Sequence, residues 1–325
     1  VISTFLALGF SLMAHSVTAS AGVKQLSPPE PFSSRNHRNL SLLFLRMPMK
    51  GQPLAPGERE LALGWTEAND FRVLPGLRED YEITRLEATG RWGWRNREEL
   101  WAQAALMNRG GGFLDPWITG WHRDVLGWTD PNRDAAKNGE VVLQQDGRYS
   151  KRSAWGISDV TLGWTRSLGP TTSVSAAVKL PTGSASDFLG SGNVDLGVSI
   201  DHLHKFARSW WLHGQFGFIA QGRGSHLKGT RGWADQGALS LLWKPNSRDV
   251  WIAQWQTERA PVTTVAPGAN ATHRLLVLAY RRSVSARETL ELWFSEDRDV
   301  FNGRWPEGAN LGPDIAVGIT WKRKF

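Results

Sequence analysis

Runs of about ten residues in which apolar side chains alternate with polar or small ones recur along this chain from Glu58 to Phe325. A period of two sends successive side chains to opposite faces of an extended strand, so each run must cover one whole apolar face. In ELALGWT, Leu61, Leu63 and Trp65 oppose Glu60, Ala62, Gly64 and Thr66. In NVDLGVSID, Val194, Leu196, Val198 and Ile200 oppose Asn193, Asp195, Gly197, Ser199 and Asp201. About twelve such runs lie near 58–71, 80–94, 97–107, 155–167, 171–181, 192–204, 208–222, 233–244, 249–258, 272–283, 287–296 and 313–325, an even number as single-chain bacterial barrels require. Strands of this length suit a tilted membrane crossing of ~9–11 residues and are about twice as long as the usual soluble strand.

The connections sharpen the choice between a membrane barrel and a soluble sandwich. Short turns such as WRNRE, SLGPT, KPNSRD and RSVSAR alternate with longer segments at 108–154, 182–191, 223–232, 259–271 and 297–312. Short turns at one rim and long loops at the other belong to outer-membrane barrels, and a sandwich gives no reason for them. The sequence therefore predicts an all-β fold, a transmembrane antiparallel β-barrel of about twelve strands over residues 58–325. Tryptophans near strand ends, among them Trp65, Trp92, Trp94, Trp164, Trp210, Trp243 and Trp321, suit the membrane interfaces, where an apolar ring can keep its N–H hydrated.

The run IAVGITWKRKF is expected to be the closing strand, its odd-numbered face turned to lipid and no free edge left behind. Gly318, Trp321 and Phe325 in that alternation resemble the signal by which Gram-negative assembly machinery recognises outer-membrane barrels, which implies the barrel assembly machinery and membrane lipid as partners. Arg323 departs from the apolar preference of that face, but its long stem can carry the charge to the head groups.

Composition narrows the function. There is no cysteine, so disulfides, thiol chemistry and zinc knuckles are excluded. The net charge of +7 comes from interspersed rather than clustered residues, which argues against a nucleic-acid partner. Residues 1–21 read as a signal peptide: an apolar run from Val1 to Met13 precedes Ala19-Ser20-Ala21, a small-x-small cleavage site. Residues 22–57 are proline-dotted with one apolar burst from Leu40 to Met47, and read as a periplasmic arm, an internal plug or an extra strand. Export to the bacterial outer membrane follows.

The segments PFSSRNHRNLSLLFLRMP, GGGFLDPWITGWH and VKLPTGSASDFLGSGNVDLGVSI resemble a bacterial outer-membrane β-barrel family known only as a domain of unknown function. The resemblance runs through most of the mature chain and implies the barrel without naming a substrate.

Facing follows from the alternation. Glu60, Arg85, Glu87, Arg91, Asp159, Lys179, Asp195, His213, Lys244, Glu291 and Lys322 are expected to point inward and line a pore of mixed charge. In the longest loop, Phe113, Trp117, Trp121 and Val125 recur every four residues, predicting a short helix with one apolar stripe. Asp115 is its expected N-cap and Pro116 its first turn. Folded into the mouth, the stripe would form a constriction; packing on the rim or lying in the outer leaflet are the alternatives.

Catalytic patterns are weak. His202 and His204 in DHLH share a strand face, but that face is the one expected to meet lipid, and Asp201 points the other way. No nucleophilic serine with a supporting acid accompanies His213, and GRGSHLKGTRG and GSGN lack the ending of a phosphate loop. No metal or cofactor is implied. The reading is a narrow passive pore for small solutes, with hydrophobic compounds as one class of cargo. A lipid-modifying barrel enzyme and a non-transporting surface scaffold are its rivals.

Overall fold

The computed structural model describes residues 26–127, 129, 131–145, 148–150, 152–224, 226–296 and 312–325. The expected signal peptide and most of the loop at 297–312 lie outside the described residues.

Strands β1 (Arg59–Leu74), β2 (Leu77–Arg95) and β3 (Glu98–Gly110) open the barrel. Two strands of the longest loop follow, β4 (Val142–Gln145) and β5 (Arg148–Ser150). The fourth wall strand is split into β6 (Ala154–Ile157) and β7 (Val160–Ser167). The wall continues through β8 (Thr172–Leu180), β9 (Asp195–Ala207), β10 (Trp210–Ala220), β11 (Trp233–Trp243), β12 (Asp249–Arg259), β13 (Thr272–Ser283), β14 (Glu288–Glu296) and β15 (Ile315–Lys324). Each wall strand pairs antiparallel with the next. The first and last join from Glu60↔Lys324 to Asn69↔Ile315. With β6 and β7 counted as one bent strand, twelve strands among the described residues close the barrel.

The alternation reads out directly in exposure. On β9, Leu196 is 58 % exposed while its neighbour Asp195 is fully buried. Val198, Ile200, Phe216, Phe218, Leu239, Leu278 and Leu292 continue the outward apolar band, which in water would be an untenable patch and in a bilayer is the required surface.

Two features were not anticipated. Strands β1 and β2 extend past the membrane-length wall, and β4 pairs with this projection from Leu77↔Gln145 to Asp80↔Val142. A one-residue register shift at Ser158–Asp159 separates β6 from β7, with the Ser158 amide donating to the Ala105 carbonyl. The barrel is also filled: residues 26–57, which the sequence leaves open between arm, plug and extra strand, run through the lumen, with one helical turn at Asn39–Leu42 and no strand of their own.

Candidate functional site

The lumen segment is a bent loop whose contacts trace its path. At the end of the short turns, Lys244 Nζ donates to the Ser27 carbonyl at 2.9 Å. Arg281 then donates to the carbonyls of Glu30 (2.6 Å) and Pro31 (3.0 Å), and Phe32 packs near the Trp293 ring. At the opposite end Arg38 pairs with Glu79 at 2.8 Å, and Asn39 Nδ2 donates to the Phe188 carbonyl. The chain turns there and descends. The Leu45 amide donates to Asp195 at 2.9 Å, and Gln236 brackets Met47, accepting from its N–H and donating to its C=O. The Lys50 amide donates to Asp201, the Leu54 amide to Glu99, and the Gly57 amide to the Gly93 carbonyl, from where β1 begins.

This segment joins no strand ladder, so its backbone donors and acceptors depend on side chains, those of the wall and its own Arg35, Arg46 and Ser33. That need explains why Asp195, Asp201, Gln236 and Glu99 are buried acceptors rather than water-facing groups. Apolar packing adds to it. Leu40, Leu43 and Phe44 are buried against Leu77, Tyr81, Leu143 and Phe188 under the mouth, and Leu45 and Met47 against Trp101 and Ile219 lower down. Burying each such leucine is worth ~1.5–3 kcal/mol relative to exposing it.

The residues expected to point inward can now be placed. Asp195, Lys179, His213, Glu291, Glu60, Arg85 and Lys244 are buried within the barrel. Arg91 gathers three carboxylates, Glu60 at 2.8 Å, Glu99 at 2.8 Å and Glu30 at 3.3 Å. Arg85 pairs with Glu87, and Lys322 with Glu291 at 2.8 Å. Asp159, turned by the shift between β6 and β7, pairs with Lys179 and accepts the amides of Gly183 (2.9 Å) and Ser191 (3.1 Å), clasping the loop PTGSASDFLGSG. In that loop the Ser184 hydroxyl and Arg152 hold the Asp187 carboxyl below its usual range. His213 Nε2 lies 3.3 Å from Asp201.

The α-helix Asp115–Trp121 continues in a π turn, His122–Leu126, but Phe113 is 61 % and Trp117 76 % exposed, and Trp121 and Val125 are exposed too. The buried side of the helix is Asp115 and Ile118 instead. Phe113, Trp117, Trp121 and Val125 thus lie on the exposed side of the helix, and the opposite face anchors it. Asp115 is also not the N-cap. Leu114 takes that position, and the Asp115 carboxylate accepts from Asn69 Nδ2 and the Gly139 amide, both at 2.9 Å, while Glu82 accepts the Phe113 and Leu114 amides.

On β15, a side chain at Gly318 would collide with the Trp293 indole, Trp321 lies opposite Leu63 and Leu290, and the Phe325 amide donates to the Arg59 carbonyl. The Arg323 guanidinium sits over the Phe325 ring. His202 is on the outer face with Thr172 Oγ1 2.9 Å from Nδ1. Among the described residues no group of three or more His, Cys, Asp or Glu side chains is placed to hold a metal ion.

Sequence reasoning missed Glu99, Asp201, Gln236 and Arg281 as holders of the segment. It also missed the apolar inner wall formed by Trp211, Leu242, Ile252, Val277 and Trp293. Its signal was visible: at Trp210-Trp211, Trp251-Ile252 and Leu292-Trp293-Phe294 both strand faces are apolar, which an aqueous interior does not need.

A closed barrel with an outward apolar band, aromatic strand ends and paired charges inside is a transmembrane β-barrel of the outer-membrane type. The chain belongs to the family described as Protein of unknown function (DUF3187), whose model matches residues 9–303. Among solved structures it is similar to the COG4313 outer membrane channel from Pseudomonas putida F1, at 13 % identity and a TM-score of 0.54 over 84 % of this chain and 97 % of that one. The NanC porin gives 7 % identity and a TM-score of 0.46 over 82 % of this chain and 100 % of that one. The Ralstonia pickettii toluene transporter TbuX gives 9 % and 0.43 over 84 % and 90 %. The first of these likenesses shows the fold. No curated protein matches the sequence.

Proposed function

We propose that this barrel is a passive pore for small solutes whose lumen segment, residues 26–57, is an internal plug that sets when it conducts. The observation that carries this reading is how the segment is held. It is bound to the wall by side chains, not by a strand ladder, so it can shift without opening the barrel. The barrel of the same fold from Pseudomonas putida F1 is a channel, and the role is extended here to this chain. Glu60, Arg85, Glu87, Arg91, Asp159, Lys179, Asp195, His213, Lys244, Glu291 and Lys322 line the passage in this reading, and their mutual pairing favours neither anions nor cations. The outward stripe of the loop helix becomes an outer-leaflet contact. Gly318, Trp321 and Phe325 present the closing strand to the barrel assembly machinery.

The chain has no cysteine, so a locked plug can be built cleanly. Gly197 faces Met47, with the place of a Cβ 2.5 Å from Met47 Sδ. The pair Met47→Cys and Gly197→Cys should form a disulfide when oxidised. Planar-bilayer conductance is expected to fall on oxidation and recover on reduction. A pore equally conductive in both states would remove the plug role. The filled lumen itself favours one second reading, a non-conducting scaffold, and absence of conductance even after reduction would support it.

A further inference from the structure

Near the short-turn end of the lumen a cavity of about 120 Å³ lies between the two legs of the segment and the wall. The segment contributes Glu30 and Lys50, and the wall contributes Glu87, Arg91 and Lys322. Two of these groups are unevenly committed. Of the three carboxylates on Arg91, Glu30 is the most distant, at 3.3 Å against 2.8 Å for Glu60 and Glu99, and its side chain is 37 % exposed. Glu87, 26 % exposed, is held by Arg85 and by Gln103 Nε2 at 2.7 Å, which leaves it capacity to accept further hydrogen bonds.

The chemistry of an occupant follows by elimination. An apolar molecule would desolvate these charges and return no hydrogen bonds, at ~1–3 kcal/mol for each group left unsatisfied. A simple anion meets Glu30, Glu60, Glu87 and Glu291, and a simple cation meets Arg91, Lys50 and Lys322. A small molecule carrying both charges answers both sides. We propose that this cavity binds a small zwitterion, its carboxylate taking the place of Glu30 on Arg91 and its ammonium directed to Glu87. Arginine presents paired N–H donors suited to a carboxylate, which is why Arg91 rather than Lys322 is assigned that end. Occupancy then unties Glu30, a residue of the first leg, so binding and the position of the segment are linked. The proposal deepens the passage reading, since the solute stands in the path of the lumen.

The test is equilibrium binding to the full chain in detergent, read by titration calorimetry. Glycine is the probe, and acetate, methylammonium, glycerol and toluene are its comparators. Saturable heat is expected with glycine and with none of the four comparators. Glu30→Gln removes the internal competitor and should tighten glycine binding, whereas Glu87→Gln should weaken it about tenfold. A role confined to folding would not move the two variants in opposite directions. Equal binding of glycine and acetate, no saturable heat with glycine, or shifts of the same sign in both variants would overturn the proposal. Passage is read separately, by swelling of proteoliposomes in isosmotic glycine, so binding without swelling would overturn the pore and leave the site standing.

Discussion

At the scale of single residues, adjacent positions on one strand do opposite work. Leu196 meets lipid, and arginine there should cost ~2–4 kcal/mol near the midplane, measured by urea titration of refolded barrel in vesicles. Asp195 accepts the Leu45 and Gly222 amides and lies 3.4 Å from Lys179. Asp195→Asn should therefore leave barrel stability nearly unchanged while loosening the segment, seen as faster proteolysis of residues 26–57. Gly197 is a third case, since a Cβ there would stand 2.8 Å from Leu45 Cδ2 as well as against Met47. Gly197→Val should raise single-channel conductance by displacing the segment, and unchanged conductance would show that it stays in place. Facing was legible in the alternation of NVDLGVSID. The role of Gly197 was not, because a strand glycine announces a close approach without saying by what.

Among elements, the lumen segment and the loop helix contrast. LSLLFLRM has neither a period of two nor a helical stripe of useful length, so its sequence left arm, plug and strand open. Its path through the lumen follows the partner strands, whose inner faces are apolar where Phe32 and Met47 pass. The loop helix was legible as a helix, because Phe113, Trp117, Trp121 and Val125 keep a strict four-residue spacing. Its orientation was not, because it is set by Asp115 reaching Asn69 and Gly139, contacts distant in sequence. The double variant Trp117→Ala and Trp121→Ala should leave conductance unchanged and lower the lipid-quenchable part of the fluorescence in brominated lipids, the other interfacial tryptophans of the chain's 18 still being quenched. A rise in conductance would return the stripe to the mouth. Replacing Ile118, the buried residue of the same helix, with aspartate should detach it and expose the loop to protease.

For the whole molecule, the decisive element is the seam between β1 and β15. Removing Phe325, whose amide holds the Arg59 carbonyl, should lower the yield of heat-modifiable barrel while transport across the inner membrane continues. Undiminished yield would end the assembly-signal reading. The number and order of wall strands were legible because each run had to hide one face. The projection of β1 and β2 was not, because β4 comes from a loop with no alternation long enough to recognise. The seam also carries a kinetic consequence. It joins Glu60 to Lys324, the most remote pairing in the wall, so its loop-closure cost is the largest and it should zip last. The lumen segment ties itself on its way up and down to β2, β3, β9, β11, β13 and β14, so those strands must be gathered around it before the cylinder shuts. The segment is thus also a mandrel, a form about which the sheet is wound. Engineered cross-links should report contact of residue 47 with residue 197 before contact of residue 60 with residue 324 during refolding.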